Sequence, residues 1–239
     1  LGIDLPFPIS SFGFTVAVAL LTAAWLTGLE LDRMLREGRI DVVKLPAKDK
    51  RGTQKAPPSE LMGSMLLIAA VAGIVGAKIF HILENLGDFV LNPAAMIFSA
   101  GGLTFYGGFL CAAAAIAYYS RKNGIPVSAM ADAVAPSLML GYGIGRIGCH
   151  LAGDGDWGIA ANMALKPDWL PTWLWAETYP NNILGVDIPA PGVYPTSIYE
   201  FLAAMLIFGA LWTVRKHPFK GGWLFSLYLV LSGIERFLI

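Results

Sequence analysis

The sequence has little charge, few cysteines and few histidines. Asp, Glu, Lys and Arg make up only 14% of its 239 residues, and 17 basic residues balance 17 acidic ones to a formal net charge of zero. Without a basic excess, or a patch of Lys and Arg interleaved with aromatic residues, the chain lacks the electrostatic pattern of a nucleic-acid-binding protein. We therefore predict no nucleic acid partner.

The scarce cysteines and histidines leave little room for a disulfide or a metal. Cys111 and Cys149 lie in apolar segments and form no Cys-x-x-Cys pair, so we expect free thiols. The three histidines have no paired zinc spacing, and no Gly-x-x-x-x-Gly-Lys-Ser/Thr motif for ATP occurs. The sequence predicts no metal and no cofactor.

Two short motifs fail on their context. Residues 143–148, Gly-Ile-Gly-Arg-Ile-Gly, match the dinucleotide-binding fingerprint, but that loop must follow a strand, and here it lies in a long apolar segment. Residues 154–158, Asp-Gly-Asp-Trp-Gly, begin like a calcium loop but lack its third oxygen ligand and its distal glutamate. Neither motif is interpreted as a binding site.

Long apolar runs dominate the chain, which is 56% hydrophobic with a mean hydropathy of +0.60. A helix needs about 20 apolar residues to cross a bilayer. Runs of about this length occur at residues 11–31, 61–84, 102–119, 126–151, 197–214 and 221–239. We predict an all-α polytopic membrane protein, a single transmembrane domain over residues 1–239, with six visible helices of an expected seven. The sequence starts at Leu1 and ends inside an apolar run, so we expect it to be truncated at both ends.

Basic residues alternate between the connections that join these runs. The first connection contains Arg33, Arg36, Arg39, Lys44, Lys48, Lys50, Arg51 and Lys55. The third and fifth are also basic, whereas the second has no Lys or Arg and the fourth, residues 152–196, has only Lys166. Because basic connections remain in the cytoplasm, the N-terminus is predicted to be extracytoplasmic.

The fourth connection contains four of the seven tryptophans and six of the 15 prolines. Indole rings favour the membrane–water interface, so we predict a small irregular extracytoplasmic head between helices four and five, over about residues 152–196. Residues 89–99 are too short to span a bilayer and predict a re-entrant or interfacial segment on the same side.

Polar residues of the predicted spans gather near the outer ends. A charged group inside a bilayer costs about 2.5 to 3.5 kcal/mol, so it is usually paired, functional or facing a cavity. The layer comprises Lys78, His81, Glu84, Tyr106, Arg146, Cys149, His150, Asp154, Tyr199, Glu200, Glu235 and Arg236. Asp132 alone stands clearly in the inner half. We predict a polar chamber beneath the outer headgroups.

Arg146 is the strongest functional candidate in this layer, because glycines at positions 141, 143, 145 and 148 leave space around its guanidinium group. Lys78 and Arg236 can instead extend to the interface, and His81 can be a packing residue. Taken together, Arg146, Arg236 and Lys78 can clamp the phosphodiester of a phospholipid by charge-assisted hydrogen bonds. They would also stabilise the charge on a phosphate that leaves.

Seven short segments match the pattern of one known family. They are residues 12–13 (Phe-Gly), 76–79 (Gly-Ala-Lys-Ile), 104–108 (Thr-Phe-Tyr-Gly-Gly), 145–148 (Gly-Arg-Ile-Gly), 157–158 (Trp-Gly), 194–200 (Tyr-Pro-Thr-Ser-Ile-Tyr-Glu) and 233–239 (Gly-Ile-Glu-Arg-Phe-Leu-Ile). In this combination the sequence resembles the bacterial prolipoprotein diacylglyceryl transferases over essentially its whole length.

The resemblance implies a seven-span enzyme of the bacterial inner (cytoplasmic) membrane, with its active site toward the outer leaflet. It implies transfer of the diacylglyceryl group of phosphatidylglycerol to the lipobox cysteine thiol of preprolipoproteins, with release of glycerol phosphate. The implied partners are phosphatidylglycerol, the preprolipoprotein signal peptide and the lipid bilayer. The family's signature arginine falls on Arg146 and its late arginine on Arg236, with a glutamate expected just beyond Ile239.

Three departures from the family pattern concern the proton acceptor. Tyr106 stands at the family's histidine, Cys149 at its asparagine, and residues 153–156 at its Asn-x-Glu. Because a tyrosine hydroxyl is ordinarily a poor base at neutral pH, His150 is predicted as the replacement and Glu200 as second choice. The predicted catalytic residues are Arg146, Arg236, His150, Tyr106 and Glu200, and the predicted substrate-binding residues are Lys78, Tyr199, Cys149, Asp154 and Gly158.

Two other classes of function stay open on the sequence. The replacements Tyr106 and Cys149 are compatible with a catalytically silent relative that binds lipid or acts as a scaffold in a membrane complex. A transporter or channel is disfavoured, because the charges gather in one leaflet and only Asp132 stands in the other.

Overall fold

The computed structural model describes residues 11–46, 53–99 and 101–239, and it is mostly helical, as predicted. The helices within this part are α1 (Ser11–Arg36), α2 (Met62–Glu84), α3 (Leu86–Leu91), α4 (Pro93–Phe98), α5 (Phe105–Lys122), α6 (Val127–Ala152), α7 (Thr196–Val214) and α8 (Trp223–Leu238). Lys48, Lys50 and Arg51, part of the predicted cytoplasmic charge, lie outside the described residues.

Four helical segments are long and apolar enough to cross a membrane. They are Ser11–Arg36, Pro58–Glu84, Val127–Ala152 and Thr196–Val214, and each coincides with a predicted span. Helices α5 and α8 coincide with the other two predicted spans and have 18 and 16 residues. These apolar helices are those of an integral membrane protein.

Helix α1 continues five residues beyond its predicted end, as far as Arg36. The extension is stabilised by ion pairs one helical turn apart, in which Arg33 contacts both Glu30 and Glu37. A short antiparallel hairpin follows, with strand β1 (Val43–Pro46) paired to β2 (Thr53–Ala56) so that Lys44 faces Lys55. This hairpin was not predicted from the sequence.

The chain divides into two compact units. The first comprises the residues up to Leu26 together with Ala131–Ile239, and the second comprises Thr27–Met130. The core of the first unit is formed by α6, α7 and α8, and its fully buried side chains are Ala135, Met139, Ala204, Leu211 and Leu224. Half-buried aromatic side chains such as Phe208 and Tyr228 pack around this core.

Asp132, the one charge predicted in the inner half of the spans, caps helix α8 from helix α6. Its Oδ2 accepts a hydrogen bond from Gly222 N–H at 2.8 Å, and its Oδ1 accepts one from Phe225 N–H at 3.0 Å. The first N–H groups of a helix have no partner within the helix, and a carboxylate at this end also interacts favourably with the helix dipole. His217 lies beside the carboxylate, with Nε2 3.6 Å from Oδ2. The buried charge of Asp132 is therefore explained by a structural role.

Replacing Asp132 with asparagine is expected to lower the free energy of unfolding by about 1 to 3 kcal/mol, because an amide oxygen accepts on one side only and one buried N–H loses its partner. Thermal unfolding of the protein in lipid nanodiscs would measure the change. Asp88→Asn, at an exposed carboxylate of α3, is the matched control and should leave the melting temperature unchanged. Equal melting temperatures for both variants would contradict the capping role.

The second unit is built on the packing of α2 against α5. The backbones approach closely at Gly76 and Gly107, where an added Cβ would overlap the carbonyl oxygen of the facing glycine. Such close contact between small residues is the usual means of packing helices in membranes. The segment predicted to be re-entrant or interfacial, residues 89–99, overlaps the six-residue helices α3 and α4. The large apolar side chains Val90, Leu91 and Phe98 of these helices are exposed.

The connection between α6 and α7 is irregular, as predicted for the head. It contains the short 3-10 helices Met163–Leu165 and Thr172–Leu174, and two isolated bridges in which Val193 pairs with Ala160 and with Glu177. Trp157 stacks on Tyr179 with ring centroids 5.1 Å apart. This connection packs over the end of α6 and the start of α7, where several of the predicted site residues lie.

Candidate active site

Three helices of the first unit bring two arginines to one glutamate. The guanidinium group of Arg146 on α6 forms an ion pair with Oε2 of Glu200 on α7. Arg236 on α8 donates from Nη1 to the other oxygen of Glu200 at 3.2 Å. Glu200 is therefore held between two guanidinium groups that are 90 residues apart in the sequence.

Two further residues complete this group, and sequence reasoning assigned neither of them a role. The Tyr142 hydroxyl lies 2.7 Å from Oε2 of Glu200 and 3.2 Å from Oε1 of Glu235. The Arg146 guanidinium lies over the Tyr142 ring at 5.2 Å from its centroid, a cation–π contact. We refer to Tyr142, Arg146, Glu200, Glu235 and Arg236 as the arginine cluster.

The two arginines differ in exposure. The Arg146 side chain is 10% exposed, whereas that of Arg236 is 56% exposed. Arg146 also pairs with Asp156, which belongs to the connection after α6 and whose side chain is 55% exposed. In the arginine cluster, Arg236 is therefore exposed and Arg146 is buried. Of the two carboxylates that pair with Arg146, Asp156 is the exposed one.

Close helix packing explains why Arg146 is placed deep in the first unit. A Cβ at Gly148 would overlap the Thr15 hydroxyl on α1, and one at Gly143 would meet the Met205 side chain on α7 at 2.5 Å. Glycine at these two positions allows α1 and α7 to approach α6 on either side of the arginine. Of the four glycines noted in the sequence, Gly143 and Gly148 therefore serve this packing, whereas a Cβ at Gly141 would make only ordinary contacts and one at Gly145 would make none.

His150, the predicted proton acceptor, contacts the connection after α6 and the start of α7. Its Nδ1 lies 3.0 Å from the Tyr179 hydroxyl and 3.3 Å from the Ser197 hydroxyl. Burial raises the pKa of Tyr179, so that its hydroxyl stays protonated and can donate to Nδ1. The proton of a neutral imidazole then resides on Nε2.

Three predicted substrate-binding residues lie in this connection or next to it: Gly158 within it, Tyr199 on α7 and Cys149 near the end of α6. Tyr199 donates its hydroxyl hydrogen to the carbonyl oxygen of Leu174 at 2.8 Å, and Gly158 N–H donates to Tyr194 O at 2.8 Å. Cys149 Sγ lies 3.9 Å from Arg146 Nη1.

Cys149, Asp154 and Asp156 place one ligand atom each within 4.8 Å of one another, a spacing that a metal ion can bridge. Arg146 is ion-paired with Asp156 at the same place. A guanidinium group so close disfavours a second cation there. We therefore assign no metal to this group.

The other predicted site residues belong to the second unit. Lys78 Nζ donates to Ser99 O at 2.9 Å, to Ser99 Oγ at 3.0 Å and to Gly101 O at 2.8 Å. These three acceptors match the three N–H groups of an ammonium ion, so Lys78 fixes the loop before α5. Tyr106, at the start of α5, is 72% exposed. Within the same unit, Thr104 donates its hydroxyl hydrogen to Glu84 at 2.6 Å.

The apolar helices carry a group of arginines and carboxylates in which Arg146, Glu200 and Glu235 are buried. They define an integral membrane protein with a polar site between its apolar helices. The family model described as prolipoprotein diacylglyceryl transferase matches residues 1–239. The chain belongs to the prolipoprotein diacylglyceryl transferase family.

Curated relatives of this chain share one name, phosphatidylglycerol–prolipoprotein diacylglyceryl transferase. The relative from Clostridium tetani is 30% identical over 191 residues, covering 80% of this chain and 72% of its own length. That from Leptospira interrogans is 28% identical over 255 aligned positions, covering 96% and 70% respectively. That from Corynebacterium glutamicum is 26% identical over 249 positions, covering 98% and 69%.

Proposed function

We propose that this protein transfers the diacylglyceryl group of phosphatidylglycerol to the lipobox cysteine thiol of preprolipoproteins and releases glycerol phosphate. The observation that carries the proposal is the arginine cluster, which holds two guanidinium groups on one glutamate among apolar helices. Family membership supplies the reaction, and the curated relatives carry the names of both substrates.

The unequal exposure of the two arginines supports binding of the phosphodiester in two stages. Arg236 is open and meets the headgroup first. Arg146 is engaged with Glu200 and Asp156, and of these two carboxylates only Asp156 is exposed enough to move away. A phosphate oxygen then takes the place of the Asp156 carboxylate at Arg146, with a guanidinium geometry suited to bidentate contact.

The reaction is a displacement at the glyceryl carbon that carries the phosphate. The acceptor thiol loses its proton, and the sulfur forms a bond to that carbon. The bond between carbon and phosphate oxygen breaks, and its electron pair remains on the phosphate. Arg146 and Arg236 stabilise the resulting charge, which is the largest contribution expected in such a site.

The remaining predicted residues enter the proposal with roles that their contacts support. Lys78 positions the loop around Ser99 and Gly101. His150 and Tyr199 hold the connection after α6 against the start of α7. Tyr106 presents an exposed ring and hydroxyl for contact with substrate. Cys149, Asp154 and Gly158 border Asp156, the carboxylate that exchanges with phosphate.

The topology is proposed as the seven spans that the family resemblance implies, in the bacterial inner membrane, with α5 and α8 among them. The N-terminus is extracytoplasmic, and the connection after α6 forms the extracytoplasmic head. Basic residues in both strands of the hairpin, Lys44 and Lys55, support a cytoplasmic position for it. The arginine cluster then lies toward the outer leaflet.

A reconstituted assay tests the proposed function. The full chain in nanodiscs that contain phosphatidylglycerol is incubated with a lipobox peptide, and thioether product and glycerol phosphate are quantified by mass spectrometry. We expect the two products in equal amounts, and none when serine replaces the peptide cysteine. Binding of phosphatidylglycerol without product would instead support the silent lipid-binding relative, which the residues Tyr106 and Cys149 leave open.

A further inference from the structure

Glu235 has a carboxylate oxygen that is buried and has no partner. The residue is 4% exposed, and its Oε2 accepts no hydrogen bond from any residue that the structure describes. Leaving a buried acceptor unsatisfied is costly, and native proteins do so mainly where the group has a functional use. The other oxygen, Oε1, contacts the Tyr142 hydroxyl.

Glu200, the other carboxylate of the arginine cluster, has no such vacancy. Its Oε1 accepts from Arg236, and its Oε2 is engaged by both Arg146 and Tyr142. Both oxygens of Glu200 therefore already have a hydrogen-bond or ion-pair partner. Glu235 is the carboxylate with an oxygen available for a proton.

We propose that Glu235 is the proton acceptor for the substrate thiol, with Tyr142 as the residue that positions it. This inference rests on the proposed transfer reaction and names a proton acceptor other than His150 and Glu200, the two that the sequence predicted. The thiol proton passes to Oε2 of Glu235, and the sulfur electron pair forms the bond to the glyceryl carbon. The bond from that carbon to the phosphate oxygen breaks with its electron pair on oxygen. The proton on Glu235 later passes to the released phosphate or to water.

The Tyr142 hydroxyl lies between the two carboxylates and allows the arginine cluster to accept the thiol proton. Its single hydroxyl hydrogen lies between Glu200 and Glu235 and can satisfy only one of them at a time. A hydrogen-bonded chain of Glu200, Tyr142 and Glu235 therefore has room for one further proton. The charged and titratable groups that act on Glu235 are Tyr142 and Arg146 on α6, Glu200 on α7 and Arg236 on α8.

The position of Glu235 next to Arg236 places a proton acceptor for the attacking thiol near a positive charge for the leaving phosphate. The two residues are adjacent in α8, one with a buried carboxylate and the other with an exposed guanidinium group. Both side chains reach the same group, because Arg236 contacts Glu200 and Glu235 contacts Tyr142, which also contacts Glu200. A phosphate bound by Arg236 would hold its glyceryl carbon beside this group. A thiol that approaches this carbon then finds a proton acceptor and a positive field in the same place.

The test compares cysteine and selenocysteine at the acceptor position of the lipobox peptide, with phosphatidylglycerol in nanodiscs. A selenol is largely ionised at neutral pH and needs no proton acceptor. Glu235→Gln is expected to lower kcat about 100-fold or more with the cysteine peptide, in the range of general-base catalysis. With the selenocysteine peptide the loss should shrink to less than about tenfold, because the step that Glu235 assists is bypassed. A purely structural role would lower both rates equally, and that result would overturn the proposal.

His150→Gln is the comparison variant, since His150 is the rival acceptor. If the selenocysteine peptide restored the transfer rate of His150→Gln but not that of Glu235→Gln, the proposal would also be overturned. If the wild-type protein makes no thioether, the proposed function itself falls and the role of Glu235 falls with it. If the wild type is active and Glu235→Gln matches it, only the role of Glu235 is refuted.

A measurement on the wild type avoids any dependence on the folding of the variants. The dependence of kcat/KM on pH should have an acid limb with the cysteine peptide, because protonated Glu235 cannot accept a second proton. The limb should disappear with the selenocysteine peptide. Acid limbs that coincide for both peptides would contradict the proposal. Tyr142→Phe should shift the limb, whereas Tyr228→Phe, at another half-buried tyrosine of the first unit, should not.

Discussion

Replacing Arg146 with lysine is expected to lower the transfer rate about 100- to 1000-fold, the cost of losing one well-placed donor to a developing oxyanion. A lysine keeps the positive charge and much of the length. It does not have the planar, forked donors that contact Glu200 and a phosphate together. The thioether assay with phosphatidylglycerol would measure the loss in kcat, because the lost contact is strongest in the transition state.

The matched control is Arg121→Lys, at an exposed arginine in the last turn of α5. We expect this variant to keep its activity within about twofold, as most surface substitutions do. Equal activity of the Arg146→Lys variant and the wild type would remove Arg146 from the mechanism. Arg146→Ala should be at least as inactive, but it also leaves Glu200 and Asp156 without their shared cation and so combines a catalytic loss with a structural one.

Replacing Glu200 with glutamine is expected to destabilise the protein by about 2 to 4 kcal/mol and to lower transfer about 100-fold. Removing one partner of a buried ion pair costs about 3 to 5 kcal/mol, because the other charge is left uncompensated. Here Asp156 remains on Arg146, which places the expected loss toward the lower end. Transfer falls as well, because the two guanidinium groups lose the carboxylate that holds them together.

Thermal unfolding in nanodiscs and the thioether assay would measure the two effects. Glu60→Gln, at an exposed glutamate before α2, is the control for loss of a carboxylate and should change neither quantity. A double-mutant cycle that combines Glu200→Gln with Arg146→Met measures the interaction energy between these two residues. The double variant should be more stable than the sum of the single losses predicts, because it leaves no lone charge in the interior. Additive losses would contradict a direct coupling of Arg146 and Glu200.

The apolar helices and the candidacy of Arg146 followed from the sequence because each reflects a simple physical constraint. Bilayer thickness sets the length of an apolar run, and the described parts of these runs are helical. A charge in such a run is costly, which marked Arg146, Glu200 and Arg236 as candidates before their contacts were known. The structure brings these three side chains together on three different helices.

The partners within the site were not predictable by the same reasoning. Asp132 is satisfied by backbone N–H groups about 90 residues away, and backbone groups leave no trace in a sequence. Tyr142 is an ordinary aromatic residue of an apolar helix until its hydroxyl is placed between two carboxylates. The hairpin of β1 and β2 was missed because its strands have four residues each, too few for a clear alternating pattern.

The contact of Asp156 with Arg146 has a consequence for which ligands the proposed transferase accepts. Because Asp156 is tethered beside Arg146, its carboxylate competes with any dissolved anion for this guanidinium group. Its effective concentration there is on the order of millimolar and does not depend on the solution. A bare anion such as inorganic phosphate has to outcompete this internal rival with its charge alone. A phospholipid that replaces the Asp156 carboxylate at Arg146 is also held in place by the burial of its acyl chains. We therefore expect the Asp156 loop to favour binding of a membrane-embedded headgroup over free phosphate.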